Sequence, residues 1–265
     1  YDVQDRGLAA YIAELLGTLF LVFFIGAVVT LFVQTSPDAQ TGSDFAVVGL
    51  VHAFVLFGLI ITFGAVSGGH FNPAVTLAAA ALRRIDPLDA LVYILAQLSG
   101  GVLGALLIKG LLLDEGRASA YGTPGVSELL GGNFQGLIVE GIGTFVLVLV
   151  ILAVALNPRA RQEWAPLAIG TTLGLIVMVL GPLTGASVNP ARWFGPALIG
   201  DALEGSALVP YVLAPIIGSI LAVIVYRFVI AGPQFAAGPE PPTSEARAGA
   251  QAIREAEVEA RRGNR

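Results

Sequence analysis

Ser67-Gly68-Gly69-His70-Phe71-Asn72-Pro73-Ala74 and Thr184-Gly185-Ala186-Ser187-Val188-Asn189-Pro190-Ala191 stand 117 residues apart and follow one plan: a small-residue link, then Asn-Pro-Ala heading an apolar stretch. Asn is a favoured helix N-cap. Pro suits the first helical position, where its missing N–H would be unpaired anyway. Each box therefore predicts a helix start. The stretches that follow, about 72–82 and 189–199, are too short to cross a hydrocarbon core of about 30 Å at 1.5 Å per residue. They read as half-helices that enter a membrane and stop.

The surrounding chain supplies the membrane. Of 265 residues, 55% are hydrophobic and 12% charged, with mean hydropathy +0.81. A soluble domain carries about a quarter charged residues. Six apolar segments, roughly 8–33, 45–66, 87–113, 134–156, 165–182 and 207–230, are each long enough to span. The first has neither a basic leader nor a small-residue cleavage site, so a span rather than a cleaved signal is expected. The fold class predicted is all-α: six transmembrane helices plus two re-entrant half-helices.

The halves repeat. Glu14-x-x-Gly17-Thr18 returns as Glu140-x-x-Gly143-Thr144, and Gln97-x-x-Gly100 aligns with Pro215-x-x-Gly218. Repeat one covers about 8–113 and repeat two about 134–230, within one membrane domain of 1–230. Three spans per half is an odd number, so the second half inserts upside down. Inverted repeats with broken helices at matching places point to a site near the bilayer midplane.

Charge sets the topology. Arg6, Arg83/Arg84, Arg159/Arg161 and Arg227 fall on one side if the spans alternate, while the opposite loops carry mainly acids such as Asp38, Asp44, Asp114 and Asp201. The basic side is cytoplasmic by the positive-inside rule, which predicts both termini there. Residues 231–265 read as a solvated cytoplasmic tail, with Glu257 and Arg261 at favourable helical spacing. A net charge of −5 with dispersed acids gives no footprint for nucleic acid. No cysteine is present, so thiolate metal sites and cysteine nucleophiles are excluded. Two histidines and few carboxyls leave little material for catalysis, and neither metal nor cofactor is expected.

Inversion brings the two half-helix N-termini together, each with about half an elementary positive charge. Asn72 and Asn189 then offer amide N–H donors to whatever lies between, while the field opposes cations. Irregular backbone at membrane depth is tolerated only where it lines a cavity or is buried in protein. Gly68, Gly69, His70, Gly185 and Ser187 are accordingly expected to line a path with backbone groups. Gly100/Gly104 and Gly170/Gly174 have small-xxx-small spacing and are expected at helix crossings.

Over residues 8–230 the chain resembles the aquaporin, or major intrinsic protein, family. The resemblance rests on both Asn-Pro-Ala boxes, Ser67-Gly68-Gly69-His70, Thr184-Gly185, the two Glu-x-x-Gly-Thr headers and Arg192 directly after the second box. It implies an aquaporin-like right-handed bundle, a homotetramer in the cell membrane with a pore in each protomer, and Glu14 and Glu140 as braces for the pore loops. Carrying the family's extracellular constriction over by spacing gives His52, Val177, Ala186 and Arg192. That set is similar to the plant tonoplast subgroup. It lacks the Phe and His of strict water filters and the Trp and Gly of glycerol facilitators, and Trp193 stands where those facilitators carry Asp. The function implied is passive flow of water and small neutral solutes with cations and protons excluded. A glycerol or ammonia facilitator is the nearest alternative, and an ion-coupled secondary transporter a more distant one.

Overall fold

The computed structural model describes residues 7–33 and 43–232. Arg6, Asp38 and the tail from 233, including Glu257 and Arg261, lie outside the described residues. The described residues up to Tyr226 form one compact unit.

The helices in chain order are α1 (Gly7–Phe32), α2 (Ser43–Ser67), α3 (Pro73–Ala81), α4 (Pro87–Leu111), α5 (Leu113–Ala118), α6 (Asn133–Ile151), α7 (Ala165–Thr184), α8 (Pro190–Ile199) and α9 (Ala214–Val225). Among the described residues, six stretches are long and apolar enough to cross a membrane; α3 lies between the second and third of them and α8 between the fifth and sixth. The sixth span departs from the regular helix expected over 207–230. It begins with a wide turn, Val209–Leu213, before α9. Pro210 and Pro215 lack the N–H that an i→i−4 ladder needs there, which loosens the winding.

Packing repeats across the halves. α1 lies on α4 and α6 on α9, while α2 lies on α7 across the two repeats. Small residues make these contacts close: a Cβ on Gly104 would sit 2.6 Å from the Leu19 carbonyl oxygen, and one on Gly170 would sit 2.5 Å from that of Ala53. Backbones approach where lipid offers no hydrophobic drive for helix association. Gly101 of α4 and Gly195 of α8 face each other across the tightest of these contacts. We expect Gly195→Ala to cost about 1–3 kcal/mol through overpacking, read as a lower Tm of the purified protein in detergent.

Side chains facing out are apolar as well. Leu8, Phe54, Ile61, Leu111 and Phe134 are among the most exposed large residues, as the outer surface of a bundle in lipid requires.

Candidate functional site

Both half-helices begin as their sequence dictates. Asn72 is extended at the N-cap of α3 and its Oδ1 accepts from the Ala74 N–H at 2.9 Å. Asn189 caps α8 in the same way, accepting from Ala191 at 3.0 Å and Arg192 at 3.3 Å. Pro73 and Pro190 open the two helices. Each Asn amide then reaches into the other repeat: Asn72 Nδ2 donates to the Val188 carbonyl at 2.9 Å, and Asn189 Nδ2 to that of Phe71 at 2.8 Å. An amide has two N–H groups, and both asparagines line a shared cavity of about 520 Å³. One donor from each repeat is therefore available to a guest at the point where the half-helices meet.

The loops leading in are left-handed at matched places. Gly69, Phe71, Ala186 and Val188 have φ of 65°, 47°, 43° and 45°. A β-branched residue in that region is strained and persists only where its surroundings over-determine it. Glu14 and Glu140 supply that constraint. Ser67 Oγ, His70 N and Phe71 N donate to the Glu14 carboxyl at 2.6, 2.9 and 2.7 Å. Thr184 Oγ1, Ser187 N and Val188 N donate to the Glu140 carboxyl at the same three distances. Both acids are fully buried. Their contacts are those of braces for the two loops.

Further braces escaped the sequence reading. Tyr93 donates to the Ser67 carbonyl at 2.8 Å and Tyr211 to that of Thr184 at 2.9 Å. These tyrosines are 118 residues apart, the spacing that pairs Gln97 with Pro215, so the signal was present. Gln97 Nε2 donates to Glu14 at 2.8 Å and to Thr76 at 2.9 Å. Repeat two has Pro215 and Trp193 at the corresponding places, and there Trp193 stacks on Tyr211 with ring centroids 5.8 Å apart. One half is braced by an amide network and the other by aromatic packing.

The expected constriction residues divide. His52 and Arg192 are 1% and 2% exposed and both line the cavity. His52 Nδ1 lies 2.7 Å from the Val48 carbonyl; a carbonyl only accepts, so Nδ1 carries the hydrogen. Nε2 has no partner among the described residues. Arg192 Nη1 donates to the Gly122 carbonyl at 2.8 Å, and its Nε has no partner among the described residues. Val177 and Ala186 are instead buried in the apolar cluster with Leu173 and Ile176 and are not among the cavity walls. Gly68, Gly69, His70 and Ser187 do line the cavity. Gly185 does not; it is the left-handed cap that ends α7 and packs on Pro124. Gly122 could not have been found from sequence, because its contribution is a backbone carbonyl placed by a loop.

Fold and site together define a multi-pass membrane protein built as an inverted repeat around a cavity flanked by two capped half-helices. The Major intrinsic protein family model matches residues 3–226. A probable aquaporin of Archaeoglobus fulgidus is 36% identical over 237 residues, which cover 83% of this chain and 96% of that relative. Glycerol uptake facilitator protein-like 6 of Lactiplantibacillus plantarum is 39% identical over 223 residues, covering 82% and 96%. Among solved structures, the aquaglyceroporin from Plasmodium falciparum superposes with a TM-score of 0.71 at 26% identity, covering 84% of this chain and 96% of that one. The chain belongs to the major intrinsic protein family, whose members are channels for water or small solutes and not enzymes.

Proposed function

We propose that the chain is a passive water channel that also passes small neutral solutes and excludes cations and protons. The observation that carries this reading is the pair of Asn amides, each with one N–H engaged by the opposite repeat and one left to the shared cavity. A water molecule between them accepts two hydrogen bonds in a region where both helix ends are positive. That orientation suits a neutral acceptor and repels a cation. At the constriction Arg192 adds a full charge and His52 adds an acceptor at Nε2.

The second reading is a glycerol or ammonia facilitator. Relatives named for glycerol uptake accompany those named aquaporin, which favours it. The same channel is proposed to work as a homotetramer in the cell membrane, with both termini cytoplasmic as Arg83, Arg84, Arg159 and Arg161 imply. Stopped-flow light scattering on proteoliposomes under sucrose, glycerol and ammonium gradients separates the readings. Fast shrinkage in sucrose with slow glycerol re-entry supports the water channel. Glycerol entry as fast as water, or uptake that saturates and follows an ion gradient, overturns it. Because the chain has no cysteine, mercurial reagents are expected to leave water flow unchanged; block reversed by a thiol in the same assay is the contrary result.

A further inference from the structure

The segment that presents Gly122 to Arg192 is strained, and its strain has a specific support. Ala120, Tyr121 and Gly122 are left-handed in succession, with φ of 43°, 55° and 80°. Only glycine visits that region without steric cost, so two non-glycine residues there persist because their surroundings hold them. Ser119 is the anchor. Its Oγ lies 2.9 Å from Thr30 Oγ1 of α1 and donates to the Gly116 carbonyl at 3.2 Å, so Thr30 supplies the hydrogen between the two hydroxyls. Gly122 N donates to Ser119, 3.0 Å from the carbonyl oxygen and 3.2 Å from Oγ. Tyr121 is buried against Gly116, with Lys109 Nζ 5.6 Å from its ring centroid.

Arg192 and the Thr30 hydroxyl each lack a counterpart in the other repeat. At the 117-residue offset Arg192 corresponds to Val75, and at the 126-residue offset Thr30 corresponds to Leu156. Neither counterpart carries the polar group. We infer that the Thr30–Ser119 hydroxyl pair positions the filter: it fixes the left-handed turn at 120–122, the turn fixes the Gly122 carbonyl, and that carbonyl fixes the Arg192 guanidinium and so the solute cutoff. Thr30 and Ser119 are positioning residues that do not line the cavity. This inference rests on reading Arg192 as part of the constriction.

The test is the glycerol-to-water permeability ratio of T30V, S119A, T30S, R192V and T30V/R192V in proteoliposomes with matched amounts of inserted protein. T30V and S119A are expected to shift the ratio in the direction of R192V by about fivefold, the factor set by one lost neutral hydrogen bond. T30S, which keeps the hydroxyl, is expected to hold the wild-type ratio, and T30V is expected to add no shift to R192V. A merely structural hydroxyl pair changes the amount of folded protein and leaves the ratio alone. Wild-type ratios in T30V and S119A beside a shifted R192V overturn the clamp and leave the filter reading standing. An unshifted R192V overturns the filter reading, and the clamp with it. If T30V fails to insert, S119A carries the same comparison.

Discussion

Arg192→Val is expected to raise proton and cation leak through proteoliposomes by one to two orders of magnitude while water flow stays within about threefold of wild type. The estimate follows from charge. A unit charge about 4 Å from a permeating cation contributes about 4 kcal/mol of repulsion at an effective dielectric constant near 20. About 1.4 kcal/mol is tenfold in rate, so removing the charge outright allows up to a thousandfold. The two half-helix N-termini remain, each worth about half an elementary charge at close range, and they retain part of the barrier. Water carries no net charge and loses only one donor at the constriction. A pH-sensitive dye trapped in the vesicles reads the proton flux, and light scattering reads water in the same preparation. A variant that excludes protons as tightly as wild type would remove Arg192 from the barrier and assign exclusion to the helix ends alone.

Glu140→Ala is expected to give a larger loss of folded protein than any single substitution within the loop it holds. Its carboxyl accepts from Thr184 Oγ1, Ser187 N and Val188 N, and all three donors lie in a buried loop. Leaving a buried donor unpaired costs about 1–3 kcal/mol, so three together approach the whole stability of a typical domain, about 5–15 kcal/mol. Glu140→Gln keeps one oxygen and turns the other acceptor into a donor, which strands one N–H. That variant is expected to insert, with Tm lowered and water flow reduced about tenfold as Val188 and the Asn72 contact to its carbonyl relax. Glu14→Ala and Glu14→Gln are expected to follow the same order, since their loop contacts match. Size-exclusion profiles and thermal melts in detergent read stability, and stopped flow reads the pore. Full water flow through Glu140→Ala would refute the brace.

Much of this was legible because membrane solvent imposes simple rules on sequence. Length and apolarity marked the six spans, and Asn-Pro at the head of an apolar run marked both half-helices to within a residue or two. Glycine spacing marked Gly100/Gly104 and Gly170/Gly174 for helix crossings, and the fold seats them at the α1–α4 and α2–α7 contacts. The repeat paired Glu14 with Glu140, and the resemblance implied their part as braces for the loops. Departures came where several elements meet. Val177 and Ala186 were placed by counting along the chain, yet whether a side chain faces the cavity depends on the rotation of α7 and on the left-handed loop after it, which counting does not fix. Gly185 shared a box with Ser187 but serves as the cap of α7. The wide turn at Val209–Leu213 answered to prolines whose effect was visible in the sequence and was not drawn out.

By itself the sequence determined that this chain is an inverted pair of three spans with two half-helices facing each other. Those features follow from local chemistry: capping, missing N–H groups, apolar run length and a repeat of odd count. Only the tertiary structure decided which polar groups meet. It alone joined Thr30 to Ser119 across 89 residues and Gly122 to Arg192 across 70, and it alone sent each pore asparagine to a carbonyl of the opposite repeat. A backbone carbonyl has no sequence signature. Its place is set by turns and packing far along the chain, so the contacts that hold Arg192 and the two asparagines were hidden until the chain was folded.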